Sequence, residues 1–296
     1  MSRDSVTTMP ARGDQIRMGI GIFGIGTSGP LIAMSAMLIW VLIFWRNLGG
    51  SILTAPFAIR HHRDRNGIKW AAFAGFILAL HFGGFFLAMR YTSVASGTAI
   101  VALQPIFAAI FVKLSGQHIP SKVWLGMGVA FLGVLLISGV DLQISFRAFM
   151  GDIAALVSAA LAAGYMMAGS RAQRTVETTV YTSVCYFVCA ITALPMALLM
   201  GFPIFNFAGR EWWILLGLVF GAQILGHSMF NAALKRVSPA IVSLIIFFEV
   251  PVSSLLAIWW LGQKPPLGIL PGIALILIGC VLVVTRSRPD AVELTP

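Results

Sequence analysis

The sequence predicts an all-α integral membrane protein with ten transmembrane helices in two inverted five-helix repeats and both termini cytoplasmic. Three observations lead to this fold class: an apolar composition, apolar segments of spanning length, and an internal repeat. Hydrophobic residues make up 58% of the 296 residues and charged residues only 10%, and the mean hydropathy is +0.92. A single water-soluble core cannot bury so much apolar surface.

Apolar segments of about 20 residues, the length that spans a bilayer, are the second observation. They predict helices at 17–37, 39–59, 68–90, 93–115, 121–140, 150–171, 177–200, 210–234, 238–261 and 266–286. The predicted organisation is a cytoplasmic segment 1–16, repeat 1 at 17–140, a periplasmic connector 141–149, repeat 2 at 150–286 and a cytoplasmic tail 287–296.

The internal repeat is the third observation, because residues 70–139 align without a gap on residues 216–285, at a constant spacing of 146. The coincident pairs are Gly75/Gly221, His81/His227, Arg90/Arg236, Pro105/Pro251, Gly116-Gln117/Gly262-Gln263, Pro120/Pro266, Gly126/Gly272 and Gly133/Gly279. Five helices per copy is an odd number, so the second copy crosses the membrane in the opposite sense. Two like halves of this kind are typical of secondary transporters, which hold substrate between them.

The basic residues indicate the orientation. With the N-terminus inside, 15 of the 20 Lys and Arg residues fall on cytoplasmic segments, and Arg46 is counted with the outer ones. This agrees with the positive-inside rule. The net charge is +10, but the basic residues lie in short connectors rather than on one face. We therefore expect no nucleic-acid partner.

A repeated motif carries a family resemblance. Pro105 is followed by Ile-Phe-Ala-Ala-Ile-Phe, and the second copy keeps the same rhythm of proline and glycines: Gly116-Gln117, Gly126 and Gly133 in the first, Pro251, Gly262-Gln263, Gly272 and Gly279 in the second. The chain resembles the drug/metabolite transporter superfamily, in its ten-helix EamA-type branch. Arg46 also resembles an arginine often found in helix 2 of that family. The chain departs from the family in two places. The family often has Glu where Gln117 and Gln263 stand. It also often has Glu immediately before the helix 9 proline, whereas here Glu249 stands two residues before Pro251.

Within that branch the chain is most similar to YddG-type exporters. The resemblance implies export of aromatic amino acids across the bacterial inner membrane, with cationic drugs such as methyl viologen as the alternative substrates. We therefore expect a non-enzymatic carrier of small amphipathic solutes that works by alternating access. Its partners would be the substrate and the lipid bilayer. A monomer is compatible with the sequence, which leaves the oligomeric state open.

Polar side chains within predicted spans indicate the site, since lipid penalises them. Gln223, His227 and Asn231 share one face of helix 8 at spacings of four residues. His81 and Phe85 share a face of helix 3. The alternative for all of them is helix packing, and for each histidine alone the two interpretations have equal weight.

Glu249 is the one carboxylate near the middle of a predicted span, where insertion costs ~2.5–3.5 kcal/mol. It is a candidate for proton coupling or cation binding, against a hydrogen bond to a neighbouring helix. Gln104 is a further candidate contact, Tyr165 a candidate aromatic one, and Pro105 and Pro251 predict broken backbone at matching depths. Gly29 and Pro30 in the small-residue helix 1 are candidate gate residues, with close packing as the alternative.

Other functional classes find little support in the sequence. Gly19-Ile-Gly21-Ile-Phe-Gly24 follows no strand, so we expect no dinucleotide cofactor. No metal motif is present in the sequence, and a channel would need a ring of charges or a filter loop. Gly26-Thr27-Ser28-Gly29 fits an intramembrane serine protease, with His81 or His227 as base, as a remote alternative.

Overall fold

The structure is a computed structural model that describes residues 12–59, 64–114, 116, 121–201, 203–233 and 246–286. Within these ranges the regular structure is helical and no strand occurs. The α-helices are α1 (Arg12–Gly26), α2 (Ser28–Met34), α3 (Ile39–Ala58), α4 (Arg65–Tyr91), α5 (Val94–Val101), α6 (Gln104–Leu114), α7 (Ser121–Ile144), α8 (Phe146–Ala172), α9 (Thr178–Leu199), α10 (Gly209–Gly217), α11 (Met229–Ala233), α12 (Glu249–Leu261) and α13 (Leu270–Arg286). A π-helix (Leu218–Ser228) joins α10 to α11, and a 3₁₀ turn (Leu267–Ile269) precedes α13.

Seven helical segments of the described chain are long and apolar enough to cross a bilayer. They are Gln15–Met34, Arg65–Tyr91, Val94–Leu114, Val123–Ile144, Phe146–Ala172, Thr178–Leu199 and Gly209–Ala233. Two shorter apolar helices, Glu249–Leu261 and Leu267–Val283, accompany them. The helix α3 has 20 residues but carries Arg46 and Asn47 at its centre.

The helices pack in pairs: α4 lies along α8, α3 along α9, α7 along α13, and α1 along the π-helix. Glycines allow the backbones of α7 and α13 to approach closely. A Cβ atom on Gly126 would lie 2.8 Å from the carbonyl oxygen of Gly279, and one on Gly133 would lie 2.6 Å from that of Gly272. The repeated glycines therefore meet reciprocally, the first of one copy against the second of the other.

Two predicted helices are broken rather than continuous. In place of the predicted helix 17–37 the structure has two helices, because α1 ends at Gly26 and α2 begins at Ser28. At the break, the Thr27 hydroxyl donates to the carbonyl oxygen of Gly24 at 2.7 Å. The predicted helix 93–115 is interrupted at Ala102–Leu103. Gln104 and Pro105 begin α6, where proline is tolerated because the first amides of a helix lack partners anyway.

The predicted helix 210–234 contains an 11-residue π-helix, which the sequence analysis did not anticipate. Glycines bring α1 onto this segment, because a Cβ atom on Gly24 would lie 2.7 Å from the carbonyl oxygen of Gly221. Short π-helical bulges are frequent at functional sites, and this one carries Gln223 and His227.

Residues 141–149, assigned to a periplasmic connector from the sequence, are helical except at Ser145, and Asp141 is buried within α7. Several predicted features lie outside the described residues: Gln117, Pro120, Arg236, most of the segment 1–16, the first third of the predicted helix 238–261, and the tail 287–296.

Candidate substrate site

A small cavity of about 40 Å³ lies between the ends of α5 and α6, the face of α4, and the start of α12. It is lined by Phe85, Thr98, Val101, Ala102, Gln104, Pro105, Ile246, Phe247, Glu249 and Val250. The lining is mostly apolar with a carboxyl and an amide, which is the usual composition of a small-molecule site. Four of the predicted residues, Phe85, Gln104, Pro105 and Glu249, are brought together here.

Arg46 does not line this cavity but lies within electrostatic range of its residue Glu249, and it is fully buried. Its Nε donates to Oε1 of Gln223 at 2.7 Å, and its Nη1 donates to the Ser28 hydroxyl at 3.2 Å. The guanidinium lies 4.4 Å from the ring centroid of Phe82, in a cation–π contact. Its Nη2 has no hydrogen-bond partner in the structure, so a buried donor is left for another acceptor.

Gln223 connects Arg46 to a second amide. Its Nε2 donates to Oδ1 of Asn47 at 3.0 Å, and Nδ2 of Asn47 donates to the carbonyl oxygen of Ile43 at 2.8 Å. The π-helix and α3 are thus joined by side-chain hydrogen bonds in the protein interior. Because both polar groups of the amide are satisfied, Gln223 positions Arg46.

His81 is held against α8 by Ser158. Its Nδ1 lies 2.9 Å from the carbonyl oxygen of Ser158 and 2.8 Å from the hydroxyl, which also donates to the backbone carbonyl of His81 at 3.0 Å. The imidazole stacks on Phe85 with ring centroids 6.0 Å apart. These contacts fix the ring beside a residue of the cavity wall.

The other predicted residues of helix 8 make separate contacts. His227 meets the edge of the Phe82 ring with centroids 5.7 Å apart, and it interacts electrostatically with Arg46 and His81. Asn231 is buried, and its Nδ2 donates to the Tyr165 hydroxyl at 3.3 Å. Tyr165 and Asn231 therefore join α8 to α11, and neither lines the cavity.

Glu249 lies within electrostatic range of Arg46, and the two side chains form no direct ion pair. Gln104 shares the cavity wall with Glu249 and contacts the Met166 sulfur through its Nε2. Arg46 and Glu249 thus place a guanidinium and a carboxyl group in the same region of the bundle.

The four predicted hinge or gate residues occupy different environments. A Cβ atom on Gly29 would lie 2.8 Å from the Ser253 hydroxyl and 2.9 Å from Val94, so this glycine lets α2 approach α12 and α5. Pro30 is buried beside it, whereas Pro251 stands exposed in the first turn of α12. Pro105 alone borders the cavity.

A hydrogen-bond network, which we call the latch, lies at one end of the bundle and joins Ser35, Ala36, Met37, Arg90 and Glu211. Oε2 of Glu211 accepts hydrogen bonds from the Ser35 hydroxyl at 2.7 Å and from the amides of Ala36 and Met37 at 2.9 and 3.3 Å. Nη2 of Arg90 donates to the carbonyl oxygens of Ser35 and Met37. The turn between α2 and α3 is thereby held by α4 and α10.

Sequence reasoning missed Arg46 as a site residue and counted it as an outer charge. The structure corrects this, since Arg46 lies in the middle of α3 and is 0% exposed. The signal was present, because a charged residue within an apolar helix marks a functional site by default. The latch residues were missed for another reason, since they stand at helix ends where polar residues are ordinary.

The chain was compared with known proteins. The model of the EamA-like transporter family matches it twice, over residues 19–139 and 149–285. An uncharacterized transporter of Archaeoglobus fulgidus is 24% identical over 184 residues, which is 61% of this chain and 63% of the relative. The uncharacterized transporter YyaM of Bacillus subtilis is 26% identical over 210 residues, 66% of each chain.

The chain thus spans slightly less than two thirds of these two relatives. An uncharacterized transporter of Clostridium kluyveri is 22% identical over 267 residues, 84% of each chain. A crystal structure of another protein matches 94% of this chain and 99% of its own with a TM-score of 0.64 at 18% identity, which shows a shared fold. The family matches cover most of the sequence, and this multi-pass membrane protein belongs to the EamA-like transporter family.

Proposed function

We propose that this transporter exports aromatic amino acids from the cytoplasm across a bacterial inner membrane. The observation that carries the proposal is the unpartnered Nη2 of buried Arg46 within electrostatic range of Glu249, which lines a cavity with aromatic walls. The unpartnered Nη2 of Arg46 would bind the α-carboxylate, and Glu249 would bind the α-ammonium group. The rings of Phe85 and Phe247 would contact the substrate side chain.

The charges also favour one of the two substrate classes. A cationic drug such as methyl viologen would be attracted by Glu249 but repelled by Arg46, which is fully buried and keeps its charge. A zwitterion matches both groups, and its desolvation cost is offset by two charge-assisted hydrogen bonds. The amino acid is therefore the favoured substrate.

The transport cycle we propose uses two inverted five-helix repeats with both termini cytoplasmic. The latch would seal the outer end while the solute occupies the cavity. The interruption at Ala102–Leu103 and the start of α12 at Glu249 would allow α6 and α12 to tilt. Glu249 would bind a proton when no substrate is present, so that solute and proton compete for it.

The test is solute counterflow in proteoliposomes loaded with unlabelled phenylalanine. Labelled phenylalanine and tryptophan should accumulate transiently and saturably, and unlabelled tryptophan should compete. Methyl viologen should compete weakly or not at all. Strong inhibition by methyl viologen, with no counterflow of either amino acid, would overturn the substrate assignment in favour of cation efflux.

A further inference from the structure

Two aspartates lie buried at the junction of α4, α7 and α8, apart from the cavity. Asp141 stands in the last turn of α7 and is 2% exposed, and Asp152 stands in the second turn of α8 and is 1% exposed. The two helices are separated by Ser145 alone, so the sharp reversal there brings both carboxyl groups to the same junction.

The two carboxyl groups differ in their partners. The Thr92 hydroxyl donates to Oδ2 of Asp141 at 3.0 Å. Neither carboxylate oxygen of Asp152 accepts a hydrogen bond in the structure. The Asp152 carboxyl instead lies beside that of Asp141, with the hydroxyls of Thr92 and Ser138 adjacent. A buried carboxylate without a well-placed donor is costly, so binding of a proton or a cation would stabilise this group.

The positive charges on the packed elements serve other partners. Arg90, at the end of α4, donates to backbone carbonyls of the latch turn. Arg147, on α8, is exposed and lies 4.5 Å from the ring centroid of Tyr91. Lys264, in the turn before the 3₁₀ helix, is exposed. No ion pair reaches either aspartate from the described part of the chain.

Two adjacent buried carboxyl groups cannot both carry a negative charge at low cost, and one proton held between them removes the repulsion. We propose that Asp141 and Asp152 form a proton-binding site that is separate from Glu249. The bound proton converts one carboxylate into an acid, which donates to the other carboxylate. The pair then carries one negative charge instead of two, and one oxygen of Asp152 gains a hydrogen-bond partner.

Given the proposed transport function, this site links proton binding to the closed state of the outer end. A Cβ atom on Gly151 would lie 2.8 Å from the amide nitrogen of Thr92, so α8 is pressed against the end of α4 beside the pair. Separating these helices would part the carboxyl groups and expose them to water, where both ionise. A proton taken from outside would therefore favour closure of the outer end.

The direct test is infrared difference spectroscopy of the full chain in lipid nanodiscs during a pH change, without substrate. The wild-type protein should show the carbonyl stretch of a buried protonated carboxylic acid. This band should grow when the pH is lowered and shrink when the pH is raised. Because Glu249 would also be protonated without substrate, the variants are compared in a Glu249→Gln background, in which the band should remain. In that background Asp152→Asn and, independently, Asp141→Asn should each remove the band, and Glu211→Gln, which alters another buried carboxyl group, should leave it in place.

Three results would overturn the proposal. The band could persist in both aspartate variants, no such band could appear in the wild type, or it could vanish on adding sodium chloride at constant pH, which would assign the site to a sodium ion. Because the spectra need no substrate, they stand even when the counterflow test fails. In proteoliposomes, an acidic outer pH should increase the rate of counterflow by the wild-type protein. Asp152→Asn should still catalyse counterflow, but its rate should no longer increase at acidic outer pH.

Discussion

Nε of Arg46 on α3 donates a 2.7 Å hydrogen bond to Oε1 of Gln223 on the π-helix, so one buried interaction joins the two halves of the chain. The bond fixes the guanidinium plane and leaves Nη2 free. Arg46 is also flanked by the Phe82 and Phe86 rings, at 4.4 and 5.7 Å from their centroids. The position of this charge therefore depends on the contact between halves.

Gln223→Glu should lower affinity for phenylalanine without unfolding the protein. A carboxylate at this position would pair with Arg46 and neutralise the charge that binds the substrate. Isothermal titration calorimetry should give a dissociation constant at least tenfold higher, which is a loss of about 1.4 kcal/mol in binding free energy. Gln173→Glu, at a residue that accepts from the Thr178 hydroxyl, is the matched control and should bind normally. Unchanged affinity in Gln223→Glu would argue against Arg46 as the carboxylate site.

Glu211→Ala should open the latch. The amides of Ala36 and Met37 donate to Glu211, so both should exchange slowly with deuterium in the wild type. Removing the acceptor costs about 1–3 kcal/mol per buried donor, which accelerates exchange roughly five- to 150-fold. Mass spectrometry of peptides covering residues 35–37 measures this. Arg210→Ala, beside Glu211 but largely exposed, is the control, and equal exchange in both variants would count against the latch.

Gly133→Ala should destabilise the protein where α7 crosses α13, because its Cβ atom would meet the Gly272 carbonyl oxygen at 2.6 Å. Gly128→Ala on the same helix is the matched control, since a Cβ atom there has no neighbour within 4 Å. We expect a loss on the order of 1–3 kcal/mol for the first and none for the second. Thermal unfolding in detergent compares them. Equal transition temperatures would show that this crossing tolerates a wider separation.

The sequence repeat predicted features whose cause is local or periodic. Gly116 and Gly262 occupy equivalent positions, and both adopt the left-handed conformation, with φ of 84° and 63°. Glycine accepts this conformation without strain, which explains the conserved place of the residue in both copies of this chain. The glycines of α7 and α13 follow the same logic, because close helix contact requires small residues at regular intervals.

Features that depend on tertiary packing were beyond the sequence. Arg46 has Thr192 at the equivalent position of the second copy, so the repeat gave it no support. Which face of α3 turns inward is decided by its neighbours. The π-helix has no sequence signature, since its hydrogen bonds depend on how α1 and α3 pack against it. Asp141 fell in the predicted connector and Asp152 near the start of the predicted helix 150–171, and the reversal at Ser145 that buries both carboxyl groups together depends on packing.

The central claim is that Arg46 binds a carboxylate and Glu249 an ammonium group of one substrate. Binding of phenylalanine, phenethylamine and 3-phenylpropionate to the wild type, Arg46→Gln and Glu249→Gln tests it most directly, with thermal unfolding as the folding control. Arg46→Gln should weaken the binding of phenylalanine and 3-phenylpropionate about tenfold or more and leave phenethylamine binding unchanged. Glu249→Gln should weaken the binding of phenylalanine and phenethylamine and leave 3-phenylpropionate binding unchanged. If either variant weakens all three ligands equally, the account of the site is contradicted.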